Sequence, residues 1–585
     1  MKKIYTVVSI LACLTFHACD NSKESMNNNV VDEAFPEFTA MIGESDTKTS
    51  LKGLDVIWSD DDRVAIFNGT VRAKEYKVKA GYSGSTTTIL TPVNQDFTAG
   101  TEGSEMDGNV AFYPYSAVRS CKKTDDGYTL TVNFPENIES SPSSFGMGVM
   151  PMVAVNASKM DYNLSFKNLC GLLKLQLKGN GVKIYSITLE GNSNEKLLGM
   201  AEIRLFNNKT PEIRYEGTRT NQIKEICDEG IQLNDSKDIY IPIAPIEFTC
   251  GITVRIVTDE GEIVKATNKP IKVERSIITP MQVIDVAAEL DKVSVIKYTS
   301  IDDNIVNVSW TDYTTEKKWI RSNYYLNNHG IITFDRKLDE IPQSIFSGDG
   351  TGRESTERLT SVIIPKGVKR IRMYAFEYCK ELKEVTLPEG LEEIDGGAFM
   401  YEYKLEKINI PESIKKIGNS AFWRDESLKN IEIPEGITSL EGFAYCRSLE
   451  SFTIPKSIYT ITTCLFEGCD KLKKVTLHDD ITKIDARAFW GCVSLIDFEI
   501  PKGVTEIGNR AFYWTRLQNL YVYAINPPVL GEEVFITNDD YIPDSYYNHS
   551  SGDRQSDAIL YVPAESIEAY KAADGWKDFK DIRAL

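Results

Sequence analysis

Histidine is nearly missing from this chain, with four in 585 residues. Only His329, His478 and His549 lie beyond the first 19 residues. There is no C-x-x-C pair, no H-E-x-x-H, no G-x-S-x-G elbow, no P-loop and no glycine fingerprint opening a helix. Those absences argue against a metal site, a cofactor and the common catalytic chemistries. Positive charge is also short. Sixty-six Lys and Arg face 85 Asp and Glu, a net charge of −19, which argues against nucleic acid or an anionic lipid surface as partner. After Phe16 no apolar run is long enough to span a bilayer. The expectation is a protein that binds and does not turn over a substrate.

What is present begins with Lys2, Lys3 and an apolar run from Ile4 to Phe16, followed by Ala18-Cys19. That pattern reads as an export signal over residues 1–19. A small residue before a cysteine resembles the lipobox of bacterial lipoproteins, which implies that Cys19 is acylated and anchors the chain to the outer membrane. Plain secretion with a free Cys19 is the other reading. Residues 20–34 are polar and suit a flexible tether.

From Phe35 to Ala288 short alternating runs are broken by Gly, Asn, Asp and Ser, a pattern of strands without a helical period. Asp259-Glu260-Gly261 between two such runs signals a hairpin. About 250 residues of this kind predict two consecutive β-sandwiches, 35–161 and 162–288. The segments TKTSLKGLDVIWSDDDRVAIFNG (Thr47 to Gly69), LSFKNLCGLLKLQLKGNG (Leu164 to Gly181) and IYIPIAPIEF (Ile239 to Phe248) resemble the fimbrillin-like proteins of Gram-negative anaerobes. That resemblance implies an exported lipoprotein with a place in fimbriae. Asp60-Asp61-Asp62 lacks the spacing of a calcium loop and reads as a solvated turn.

Residues 289–358 form a polar join and cap with a worn first repeat (Gly330 to Gly348). Beyond it the chain repeats itself. Units begin at Leu359, Leu382, Leu405, Leu428, Leu449, Leu472 and Leu495, a period of 23 with one unit of 21. Such a period means a solenoid. Each unit alternates like a short strand, stops at a proline (Pro365, Pro388, Pro411, Pro434, Pro455, Pro501; His478 in the sixth) and carries one phenylalanine: Phe376, Phe399, Phe422, Phe443, Phe466, Phe489 or Phe512. Proline ends the ladder because it has no N–H, and one unit alone has nothing to bury its phenylalanine against. The pattern resembles the BspA-type leucine-rich repeats of bacterial surface proteins, here over 359–523 with a closing segment at 524–585. The resemblance implies contact with host matrix proteins or other microbes.

Nine cysteines lie beyond the signal. Cys379, Cys446, Cys469 and Cys492 stand three residues after a repeat phenylalanine; parallel coils about 4.8 Å apart favour buried thiols over disulfides there. Cys121 with Cys170, or Cys227 with Cys250, is left open as a pair. Two candidate binding surfaces remain. The outward strand positions form a polar sheet face suited to a broad protein contact, or simply a soluble surface. One or two residues after the phenylalanine stand Tyr378, Tyr401, Trp423, Tyr445, Trp490, Tyr513 and Trp514, an aromatic ridge of the kind that recognises proteins or stacks on sugars, unless the rings lean back over the coil edge. The sequence thus predicts a mainly β, surface-exposed outer-membrane lipoprotein that binds surface proteins or glycans of host or microbe. A fimbrial anchor or tip, and a surface glycan-binding protein, are the alternatives.

Overall fold

The computed structural model describes residues 36–42, 57–70, 72–93, 106–134, 137–139, 150–206, 209–308, 319–348, 355–537 and 554–585. Cys19, the signal and the tether lie outside them, as do residues 538–553 of the insertion before the last strands. The chain is mainly β, with one closed seven-stranded barrel and a long series of short repeated strands.

The first strands close on themselves in place of forming a sandwich. Phe38–Ile42 pairs parallel with Asn163–Asn168 on one side and antiparallel with Thr87–Pro92 on the other, leaving the barrel no free edge. Its interior packs Phe38, Trp58, Val64, Ile66, Tyr76, Leu90, Leu164 and Phe166. Trp58 meets Tyr113 and Phe166 edge-on at 5.8 and 5.3 Å. The acidic triplet is only partly the solvated turn expected from sequence. Asp60 and Asp61 are exposed, whereas Asp62 is buried and accepts hydrogen bonds from the Tyr113 hydroxyl and the Ser59 N–H, both at 2.7 Å. Burial, the largest influence, raises the Asp62 carboxyl above its ordinary range despite those two bonds. Its role is to pin the loop that carries Trp58 to the barrel wall.

Pairing crosses the boundary expected near Tyr162. Asn163–Asn168 is a barrel strand, and the hairpin Val118–Thr124/Gly127–Phe134 leaves the barrel region to pair with Leu198–Phe206. One core then joins Leu130 and Val132 of the hairpin to Leu175, Ile187, Ile203, Ile223, Ile241 and Ile256. The predicted hairpin at Asp259-Glu260-Gly261 forms as Ile252–Thr258 against Gly261–Thr267. No disulfide joins Cys121, Cys170, Cys227 or Cys250, so neither pairing left open from sequence is formed.

The polar join folds as three antiparallel strands, Val295–Ser300, Ile320–Leu326 and His329–Phe334, and the first of them pairs with the first repeat strand, Leu359–Ile363. It covers an apolar end that would otherwise face water. Polar contacts tie it to the preceding β region: the Glu262 N–H donates to Thr333 Oγ1 (2.9 Å), the Tyr324 hydroxyl to the Thr258 carbonyl (2.9 Å) and Arg321 to the Glu262 carbonyl (3.0 Å). Inside the cap, the Tyr298 ring lies flat on Gly330, where a Cβ would fall 1.9 Å from the ring. We expect Gly330→Ala to displace that ring and cost about 1–3 kcal/mol, read as a lower melting temperature; an unchanged temperature would refute the packing.

In the solenoid the phenylalanines stack as the period requires. Successive rings from Phe346 to Phe443 lie 5.1–5.5 Å apart and near parallel, and those from Phe466 to Phe535 5.1–5.6 Å apart. Phe346, in the worn repeat, and Phe535, beyond the seventh unit, extend the column at both ends. Pro365, Pro388, Pro411, Pro455 and Pro501 each open a turn, the carbonyl accepting from the N–H three residues on (Leu391 to Pro388, Ile414 to Pro411). The solenoid continues past the seventh unit as parallel strands Asn519–Val522, Ile559–Val562 and Asp581–Ala584. Trp576 and Tyr570 close its end, donating to the carbonyls of Pro528 and Ala524, each at 2.8 Å. Among the described residues no helix is long and apolar enough to cross a membrane.

Candidate recognition surface

The ridge is built by backbone geometry that the sequence does not announce. The second residue after each phenylalanine adopts the left-handed conformation: φ is 60° at Tyr378, 64° at Tyr401, 59° at Arg424, 60° at Tyr445, 71° at Gly468, 72° at Gly491 and 58° at Trp514. That conformation disfavours bulky residues. Here each N–H bonds to the next coil, as Tyr378 does to the Met400 carbonyl (3.0 Å) and Tyr401 to that of Trp423 (2.9 Å), and each turn delivers its side chain to the same edge.

Two groups of rings result. Tyr378 stacks on Tyr401 at 4.2 Å; Tyr401 meets Trp423 edge-on at 4.7 Å, and Trp423 meets Tyr445 at 5.7 Å. The Arg424 guanidinium lies over Trp423 and Tyr445 at 5.1 and 5.9 Å. In the next coil the position is Gly468, which the Tyr445 ring covers so closely that a Cβ would sit 2.5 Å from it. Tyr445 turns its hydroxyl to Glu467 (3.0 Å). The second group is Trp490, Tyr513 and Trp514, with ring centroids 5.2 and 4.9 Å apart. Tyr378, Tyr401, Trp423, Tyr445 and Trp490 are half-buried, while Tyr513 and Trp514 are buried. The five are therefore the ones with surface to offer.

Behind the ridge runs a column that explains the cysteines. The thiols of Cys379, Cys446, Cys469 and Cys492 donate to the carbonyls of Phe346, Phe422, Phe443 and Phe466, one coil back, at 3.1–3.2 Å. Burial pushes these thiols up, so they stay protonated donors. In the two coils between Cys379 and Cys446 the same position holds Glu402 and Asp425, both wholly buried. Glu402 Oε1 accepts from the Cys379 N–H (2.9 Å), and Asp425 Oδ1 from those of Ser427 and Leu428 (3.1 Å each). Sequence reasoning missed both acids, although aligning the units shows them in the cysteine column.

The sheet face keeps the expected alternation. Glu384, Thr386, Ser451, Thr453, Lys474, Thr476, Asp497 and Glu499 point outward and are exposed, around buried Val385, Phe452, Val475 and Phe498. The parallel ladder stops at Lys407–Ile408 and resumes at Ser451–Thr453, across the unit that is two residues short. At the break lies a hollow of about 660 Å³ lined by Glu384, Thr386, Lys407, Asn409, Asn430 and Glu432. Beyond the seventh unit the face changes from polar to aromatic, with Tyr521, Tyr523 and Tyr561. The periodic pattern ends before these residues, which is why they were not read from it. Among the described residues no three His, Cys, Asp or Glu side chains gather as metal ligands.

Residues 354–444 and 439–538 match the BspA type leucine rich repeat region, in six copies. No curated protein matches the chain. Among solved structures, a leucine-rich repeat protein from Bacteroides ovatus ATCC 8483 is 24% identical over 48% of this chain and 76% of its own, with a TM-score of 0.32. A leucine rich cell surface protein from Faecalibacterium prausnitzii A2-165 is 19% identical over 46% and 64%, TM-score 0.21. A candidate cell adhesion protein from Bacteroides uniformis ATCC 8492 is 16% identical over 43% and 93%, TM-score 0.24. The stacked coils between residues 354 and 538 are thus a BspA type leucine rich repeat region.

Proposed function

We propose that this protein is a lipid-anchored binding protein of the outer cell surface, held through Cys19, whose repeat solenoid recognises proteins of host or microbial surfaces without turnover. The fimbrillin-like region before residue 289 serves as the stalk that holds the solenoid away from the membrane. The observation that carries this reading is the ridge of half-buried aromatics with a guanidinium over Trp423 and Tyr445. Aromatic and arginine side chains are what the centres of protein interfaces use.

Glycan capture is the second reading, and ring geometry weighs against it. Tyr378 and Tyr401 cover one face of each other at 4.2 Å, and Tyr401 is met edge-on by Trp423. Stacking on a sugar needs an open face, whereas a protein contact uses rims and hydroxyls equally well. A place as fimbrial anchor or tip would show as co-purification with a polymer.

Binding of the full chain to immobilised surface proteins and to a glycan array separates these readings. The expected result is protein binding that weakens about ten-fold or more when Tyr445→Ala and Trp490→Ala are combined, a truncation of two interface aromatics at roughly 1 kcal/mol or more each. Binding to glycans alone, or protein binding untouched by both changes, would discard the ridge as the site.

A further inference from the structure

The aromatic end of the sheet face has a charge pattern that the rest of the face lacks. The strand register sets Glu499, Tyr521, Tyr561 and Arg583 side by side in one row across four parallel strands, and Asp497, Asn519, Ile559 and Asp581 in the next. Tyr521 and Tyr561 stack at 4.8 Å with planes 15° apart, which fixes both rings. Tyr523 stands one outward position beyond Tyr521 and is 42% exposed.

The charges at this end are unevenly used. Arg583 binds Asp581 on its own strand (Nε to Oδ1, 3.1 Å), and Asp497 is held by the Asn519 amide (2.7 Å). Glu499 is exposed and forms no ion pair among the described residues. It lies near enough to Tyr521 and Tyr523 to act on both phenols. Both are raised above their ordinary range, by burial first: Tyr521 then by Tyr561, Asp497, Glu499 and Tyr523, and Tyr523 then by Glu499. A carboxylate beside fixed rings is an arrangement that attracts a cation, through charge on one side and the ring quadrupole on the other.

We infer that this end of the face binds an extended, basic segment of a partner protein, seating a lysine or arginine side chain between the Glu499 carboxylate and the rings of Tyr521 and Tyr523. The inference rests on the protein-recognition reading and names its partner chemistry. An extended segment presents same-side residues about 6.8 Å apart, matching Tyr521 in its strand and Tyr523 one residue past the strand's end, where the Tyr523 N–H still bonds the Ile500 carbonyl. The chain's charge of −19 would draw any cation generally, so the test must separate this site from that field.

The probe is a fluorescent nonapeptide of alternating lysine and threonine, titrated by anisotropy against the full-length protein, with the glutamate–threonine peptide as its counterpart. The lysine peptide is expected to bind and the glutamate peptide not. Glu499→Gln combined with Tyr523→Ala should weaken binding about ten-fold, the scale of one cation–π contact and one ion pair together. Glu384→Gln, on the same face several coils away, should leave it unchanged. Both altered side chains at the site are exposed, and matching melting curves would certify the fold. Equal loss with Glu384→Gln, or equal binding of the two peptides, would overturn the site, as would no binding of the lysine peptide. If surface proteins are still captured in a ridge-dependent way while the lysine peptide fails, only the partner chemistry falls.

Discussion

Phe466→Ala loosens the solenoid at the seam where both strand ladders are interrupted, by about 3–5 kcal/mol as expected for emptying a fully buried phenylalanine site. Phe466 has no exposed surface. Its ring stacks on Phe489 at 5.6 Å and receives Phe452 edge-on at 4.9 Å. Its carbonyl accepts the Cys492 thiol, and its N–H donates to Ala488 (2.9 Å). The strand ladders on both sides are interrupted near here. One sheet ends at Lys407–Ile408, the other at Ser439–Leu440, and both resume only in the coil that carries Phe466. Phe452 bridges the gap by meeting Phe443 and Phe466 together, at 5.2 and 4.9 Å. A solenoid coil is held only by its neighbours, so the loss cannot be shared across the domain. Hydrogen exchange should therefore quicken in the coils after Leu449 before it does so near Phe376. A melting temperature equal to that of wild type would show that Phe466 does not join the two blocks.

The second large effect is one of pH. Glu402 and Asp425 are fully buried, and in each one oxygen has no hydrogen-bond partner. Burial, the largest influence, pushes both carboxyls well above their ordinary range. Asp425 and Glu377 push Glu402 further up, and Glu426 does the same to Asp425. The N–H of Cys379 on Glu402, and those of Ser427 and Leu428 on Asp425, only partly offset this. Both groups are therefore protonated in the folded chain under conditions that ionise them in the unfolded one. The neighbouring cysteines show why this is tolerated. A protonated carboxyl is a donor, as the thiols of this column are.

The folded state thus holds more protons than the unfolded state between the unfolded pKa, near 4, and the raised folded value. Stability is full below about pH 4 and falls as pH rises through that window, by about 1.4 kcal/mol per unit for each group. Glu402→Gln and Asp425→Asn keep the shape and remove the ionisation. They should raise the melting temperature at pH 8 and flatten its dependence on pH, with little gain at pH 4. If both variants track the wild type from pH 4 to 8, the two carboxyls are not buried as described.

What was legible in the sequence was what repeats. The phenylalanine stack, the proline turns, the buried thiols and the outward columns all follow from a one-dimensional period, because each coil meets only its neighbours. Barrel closure was not legible. It depends on Phe38–Ile42 finding Asn163–Asn168 across more than a hundred residues, and short alternating runs fit a sandwich equally well. The ridge was placed by counting from the phenylalanine, but its left-handed turns were hidden by tyrosines and a tryptophan. Gly468 and Gly491 in the same column were the available sign of positive φ. Glu402 and Asp425 were passed over because acids are expected in water, and only their position among cysteines marks them as interior. Tyr521, Tyr523 and Tyr561 lay past the last regular unit, where counting stops though the strands continue.

The central claim, a solenoid presented outside the cell for recognition, is tested most directly by protease shaving of intact cells. The repeat region is followed by antibody in wild type and in a Cys19→Ala strain. The account predicts that protease removes the repeats from wild-type cells, and that the Cys19→Ala chain is no longer held to the membrane. Repeats that survive protease on intact wild-type cells and are cut only after the envelope is opened would contradict it, placing the binding surface in the periplasm.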